Sequence, residues 1–298
     1  MLWRPEFPEL LRLSGKPVFS EACPSFDLFD SEICSGRQKM CMLGAREALM
    51  SVYTQAVVIS LLCLGIPALW SQSDSGVPGQ DLFIRAMDDF FNEAREAAEI
   101  RADLERCRSR FAGIVDPCQR DYWLARTHYL EGIVERGAER LDRAEQQFLE
   151  SQRLAEAAVG CDSFDDGYRL IADNYAQLML VNGLLYKITT GRKIKLFADK
   201  ALAGDPWNPK ARLTLALYYL NAPRYAGGDI GLCIEILESL RQAPGLERVD
   251  RFSILAWLAV AHAKQGESPS AREYADLAQR IYPGNTWFRD LVEATLEG

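Results

Sequence analysis

The run ILAWLAVAHAKQGESPSAREYADLAQRIYPGN, Ile254 to Asn285, constrains the fold more than any other part of the chain. Its apolar residues recur at intervals of three and four rather than two, the period of an α-helix and not of a strand. Leu255, Leu258, Ala259 and His262 share one helical face, and a glycine-containing turn ends that helix. Ala271, Ala275 and Ala278 then give a second helix a face of small side chains, and Pro283 stops it. Small faces set against large ones let two antiparallel helices pack closely and still present a surface to the next pair.

The same grammar recurs upstream. FADKALAGDPWNP ends a helix at Ala201, Leu202 and Pro206, and ARLTLALYYL opens another through Leu215, Ala216 and Tyr219. IGLCIEILESL places Cys233, Leu237 and Leu240 in the packing positions of its partner. In VDPCQRDYWLARTHYLEG, Pro117 is read as closing one helix and Trp123 as the large aromatic of the next, with Ala144 and Phe148 serving the helix after it. Over about residues 81–298 the chain resembles the tetratricopeptide repeat family. The small residues opening the second helices, Ala144, Ile194, Cys233 and Ala271, lie 50, 39 and 38 positions apart. A strict array repeats at about 34, so turns and helices are lengthened here, and Ile194 is a poor match to the pattern. The resemblance implies an all-α, right-handed α-solenoid of antiparallel helix pairs, with the first helix of each pair lining a concave groove. Ahead of these units, DLFIRAMDDFFNEAREAAEIRADLERC spaces Phe83, Ala86, Met87, Phe90, Phe91, Ala94 and Ala98 as one long amphipathic helix, or two with a tight turn.

The N-terminal region reads differently. AVVISLLCLGIPALW, Ala56 to Trp70, is an uncharged apolar run of 15 residues, short of the roughly 20 that span a bilayer and of the length of a signal-peptide core. Gly65 and Pro67 break it, and Ser71 and Ser73 offer a small-x-small cleavage site with a mature start at Asp74. Cys63 follows Ser60 and Leu62 where a lipidation signal has leucine and a small residue, so lipidation is not expected. Residues 1–49 show no sustained period. They are expected to be a non-structural leader from an over-long start, the true one lying near Met42 or Met50. The expected organisation is a leader (1–49), a signal peptide (50–73, with an uncleaved signal-anchor as the alternative) and a helical repeat domain (74–298) in an exported, periplasmic protein.

Composition excludes several functions. A net charge of −8 and a pI near 5.1 leave no basic face for nucleic acid. The only histidines, His128 and His262, are too few for a His-rich metal centre or most imidazole catalysis. Eight cysteines contain no CxxC pair and read as buried free thiols, although Cys107 and Cys118 are close enough in sequence to bridge. The loop NAPRYAGGD reads as a turn, because a phosphate cradle needs a strand before it and Lys-Ser/Thr after its last glycine. The loop leads instead into an amphipathic helix capped by Asp229, and Gly227 and Gly228 supply special backbone angles. The acidic pairs Asp88–Asp89 and Asp165–Asp166 could hold magnesium for diphosphate chemistry. Their places on a polar face and at a helix start read instead as solvation and capping.

No catalytic residue, metal or cofactor is assigned. The groove is expected to comprise Leu124, His128, Met179, Tyr186, Leu213, Leu217 and Asn221, with Lys187, Lys210 and Lys264 nearby. That mixture suits an extended peptide or a partner helix bearing an acidic group. The leading expectation is thus an exported, non-enzymatic scaffold for a protein or peptide, touching the membrane only through an uncleaved N-terminal segment. The alternative is an accessory of a periplasmic solute-binding or transport system, since some tetratricopeptide-like proteins of that kind enclose a small-molecule pore. A metal-dependent all-helical enzyme is third. An open groove favours the first and a channel through the array the second.

Overall fold

The computed structural model describes residues 76–161 and 165–297. The expectations for the leader, the signal segment and its cleavage, Cys63, and the side chain of Asp165 lie outside what it describes. Regular structure among the described residues is helical: α1 (Gln80–Phe91), α2 (Ala97–Phe111), α3 (Pro117–Gly137), α4 (Leu141–Ala158), α5 (Asp165–Val181), α6 (Leu184–Gly204), α7 (Pro209–Asn221), α8 (Ile230–Leu240), α9 (Arg248–Lys264), α10 (Ser268–Ile281) and α11 (Thr286–Glu297), with a 3-10 turn at Arg224–Ala226. No helix among the described residues is long and apolar enough to cross a membrane.

Helices pack as successive pairs, α1 with α2 through α9 with α10, and each second helix also meets the next first helix. The first helices α1, α3, α5, α7 and α9 touch in that order, and α9 touches α1 in turn. Local chemistry sets where they begin. Asp116 accepts the Cys118 N–H at 2.9 Å, and Pro117 occupies the first helical position, where its missing N–H costs nothing. Pro117 therefore opens α3 rather than closing the helix before it. Asn208 and Pro209 repeat the device at α7, and a capping box of Glu247 and Asp250 starts α9.

Between paired helices, small residues admit large ones. Gly132 of α3 lies so close to the Phe148 ring of α4 that a Cβ there would come within 2.5 Å of it. Trp123 sits between Phe83 and Phe111, with ring centroids at 5.9 and 5.2 Å. Ala271 and Ala278 are fully buried on α10, while His262 stacks on Tyr274 at 5.3 Å and meets Glu267 through Nδ1 at 2.7 Å.

The alternatives for the first segment are resolved, the cysteine pairing differs from expectation, and the NAPRYAGGD loop is as expected. The first segment is two helices, because the chain turns at Asn92–Glu96 with Glu93 at φ 50°. The helical phase restarts there, leaving Ala94 and Ala98 exposed and turning Ile100, Leu104, Cys107 and Phe111 inward. Cys118 pairs not with Cys107 but with Cys161, their Cα atoms 6.3 Å apart. The antiparallel return of α4 brings its end beside the start of α3, whereas Cys107 faces the α1–α2 core. Cys107 and Cys233 are buried free thiols, and burial raises their pKa values to about 11 and about 12. The NAPRYAGGD loop is a turn between α7 and α8. Gly227 has φ 91°, and a Cβ on Gly228 would stand 1.8 Å from the Ala222 carbonyl oxygen.

The contact of the last pair with the first is made by polar groups as well as rings. Tyr282, fully buried, stacks on Phe91 at 6.0 Å and donates its hydroxyl to Asp88 Oδ1 at 2.5 Å. The Gly284 N–H donates to Asn92 Oδ1 at 2.9 Å. Asn285 donates to the Phe91 carbonyl at 2.7 Å and accepts the Phe288 N–H at 3.0 Å, capping α11. Asn285→Ala leaves a buried carbonyl unpaired and removes a cap, so we expect a loss of roughly 2–4 kcal/mol in urea unfolding. A loss below about 0.5 kcal/mol would show that this contact contributes little.

Candidate functional site: a cavity ringed by the first helices

Side chains of all five first helices, with part of α6 and the 222–226 turn, surround a cavity of about 790 Å³. Its apolar wall includes Phe83, Met87 and Phe91 of α1, Leu130 and Ile133 of α3, Leu213 and Leu217 of α7, and Trp257 of α9. Exposed Lys187, Thr189 and Arg192 of α6, with Tyr225 at 92% exposure, stand at its rim.

The N-terminal halves of α3, α5 and α7 and the start of α9 carry a connected set of largely buried charges. Arg169 bonds Asp166 at 2.7 Å and Asp173 at 2.6 Å. Asp166 also accepts from the Tyr122 hydroxyl and from Asn208 Nδ2 at 3.3 Å. Thr214 donates to Asp173 at 2.7 Å. Arg126 bonds Glu247 at 3.0 Å and lies over the Trp123 ring at 4.7 Å. Lys210 reaches Glu247 at 3.1 Å and Asp250 at 3.5 Å. Burial opposes ionisation of every carboxylate here, and the neighbours decide the outcome. Arg169 holds Asp166 well below the usual carboxylate range, and Arg126 and Lys210 hold Glu247 below it. Asp173 and Asp250 stay above it, because burial outweighs Arg169 beside the one and Lys210 beside the other.

Of the residues expected in the groove, Met179, Lys187, Lys210, Leu213, Leu217 and Asn221 line this cavity. Four do not. Leu124 packs among the apolar clusters, and His128 turns to its partner helix, its Nδ1 2.7 Å from Gln147 Oε1. Tyr186 packs with Ile133, Phe148 and Leu178, and Lys264 donates to the Leu220 carbonyl at 3.4 Å. On α3 the inward stripe is Arg126, Tyr129, Leu130 and Ile133, so the expected stripe of 124 and 128 was out of phase with it.

The sequence reading missed Arg126, Arg169, Asp173, Glu247, Asp250, Ser253 and Trp257, all on the cavity lining. A signal existed: Asp166, Arg169 and Asp173 alternate in sign at three and four within a helix that also carries a strong apolar stripe. Asp166 is accordingly a member of this buried network and not only a helix-start carboxylate. Among the described residues no group of side chains is arranged to hold a metal ion. Asp88 bonds Tyr282 and Asp89 bonds Arg95 at 3.3 Å.

No protein-family model matches the chain, and no curated protein matches it either. The geometry of the cavity therefore carries the functional argument. It offers an apolar volume bordered by charged side chains from several helices.

Arg169→Ala leaves Asp166 and Asp173 buried without their cation, and we expect a cost of about 3–5 kcal/mol at pH 7. Asp166 has a depressed pKa in the native protein, so its stabilising contribution is full above its unfolded value and fades as pH falls. In the variant the carboxylate takes up a proton instead. The gap between the two proteins should narrow from pH 7 to pH 4 in urea unfolding, and a constant gap would refute this account.

Proposed function

We propose that this is an exported, tetratricopeptide-like protein that encloses one small amphipathic solute, serving as an accessory to solute capture or transport. The carrying observation is the convergence of all five first helices on one space of about 790 Å³, within the range of small-ligand sites. An extended peptide needs an open trough, whereas the return of α9 to α1 draws the inner faces together. This supports the solute reading over the peptide-scaffold reading. The succession of antiparallel pairs, with α11 covering the last, is what a short right-handed solenoid with a terminal cap requires. The Cys118–Cys161 disulfide supports export, since such bonds persist in oxidising compartments.

Titration with the apolar fluorophore 1-N-phenylnaphthylamine tests this reading. We expect one saturable site per chain. Ala176→Trp, which fills the cavity from α5, should weaken it by at least about tenfold, the effect of losing a few good contacts. Equal binding by both proteins would put the dye on the outer surface and overturn the proposal.

A further inference from the structure

Helix α9 turns Asp250, Ser253 and Trp257 into the cavity, spaced at three and four so that they stand one above another. Ser253 is 7% exposed, and its hydroxyl has no hydrogen-bond partner among the described residues. Asp250 is 9% exposed. Its Oδ2 accepts the Glu247 N–H at 2.9 Å and faces Lys210 at 3.5 Å, while Oδ1 has no donor among the described residues. A carboxylate oxygen and a hydroxyl of two largely buried residues thus border the cavity with bonding capacity that an occupant can take up. A carboxylate oxygen only accepts, so its complement is a donor.

Charge gives the sign of that donor. Arg126, Arg169 and Lys210 are each already bonded to carboxylates of the network, and they face four of these: Asp166, Asp173, Glu247 and Asp250. An incoming carboxylate would have to compete for cations already committed, whereas an incoming cation meets Asp250 Oδ1, which has no donor among the described residues. Lys187 and Arg192 at the rim are solvent-exposed, where salt screens them. We infer that the cavity selects a primary amine on an apolar body, its ammonium group donating to Asp250 Oδ1 and Ser253 Oγ and its hydrocarbon lying along Leu213, Leu217 and Trp257.

This inference rests on the cavity being a solute site, and three probes of equal length separate the two claims. The full chain is titrated calorimetrically with octylamine, octanol and octanoate at pH 7. We expect octylamine to bind at least about tenfold more tightly than the others, the worth of a charge-assisted hydrogen bond. Asp250→Asn should abolish that preference, weakening octylamine by at least about tenfold and octanol far less, while the amide oxygen still accepts the Glu247 N–H that starts α9. Ser253→Ala should weaken octylamine alone, by about threefold. Octanol or octanoate binding as tightly as octylamine, with sensitivity to Ala176→Trp, would overturn the amine and keep the solute site. No binding by any probe would overturn both.

Discussion

Everything in this molecule that depends on an enclosed interior depends on the contact of Tyr282–Asn285 with Phe91–Asn92. The two segments are nearly 200 positions apart, and each helix pair between them is held chiefly by its neighbours. An array of pairs becomes a ring of inner helices only if the angle accumulated from pair to pair brings the last against the first. Here the meeting is specified rather than merely tolerated. A buried asparagine serves a backbone carbonyl of one helix end and an N–H of another helix start, and Gly284 approaches Asn92 where a Cβ would stand 2.0 Å from its carbonyl oxygen. Such geometry discriminates sharply among crossing angles, because a buried polar group that misses its partner loses both water and bond.

The interior formed in this way accommodates two environments that are usually kept apart. Apolar side chains favour a dry space, and charges there are expensive unless paired. The chain resolves the conflict by pairing the charges within the N-terminal halves of four inner helices, where Tyr122, Asn208 and Thr214 add hydrogen bonds to the ion pairs. Charges so placed tie inner helices to one another, since Arg126 on α3 meets Glu247 at the start of α9, which is not its neighbour in the ring, and Thr214 on α7 meets Asp173 on the adjacent α5. Stability alone would be served as well by packed hydrocarbon, so a network of ion pairs beside the cavity accords with the solute site proposed above.

Much of the fold was legible in the sequence, for identifiable reasons. The alternation of small and large faces at helical spacing announced the pairs α7–α8 and α9–α10, and Ala144 and Phe148 marked α4 correctly. The break between α1 and α2 was ambiguous because no glycine or proline marks it. Glu93 adopts the left-handed conformation without being glycine, held by the tertiary contact to Thr286 at 3.0 Å. The Cys118–Cys161 bond follows from the antiparallel lengths of α3 and α4, which no spacing rule supplies. The site was harder still. In a sequence, Asp166, Arg169, Glu247 and Asp250 look like a solvated helix face, and only closure of the ring converts that face into an interior. A shift of two residues in the assumed phase of α3 then sufficed to choose Leu124 and His128 over Arg126 and Leu130.

The disulfide has a consequence of its own. Linear arrays of helix pairs open from their ends, where a pair has one neighbour instead of two. In this protein the first and last pairs are neighbours, and the covalent tie within the α3–α4 pair holds a third together. Fraying therefore has no natural starting point at either end. The order in which amide hydrogens exchange should be governed by the weakest joint in the circle, and the joints at α5–α6 and α7–α8, beside the exposed rim, have neither the tie nor the closing bonds. Such a molecule breathes where its cavity meets solvent, so the motions that cost it least are those that would admit or release the solute proposed for it.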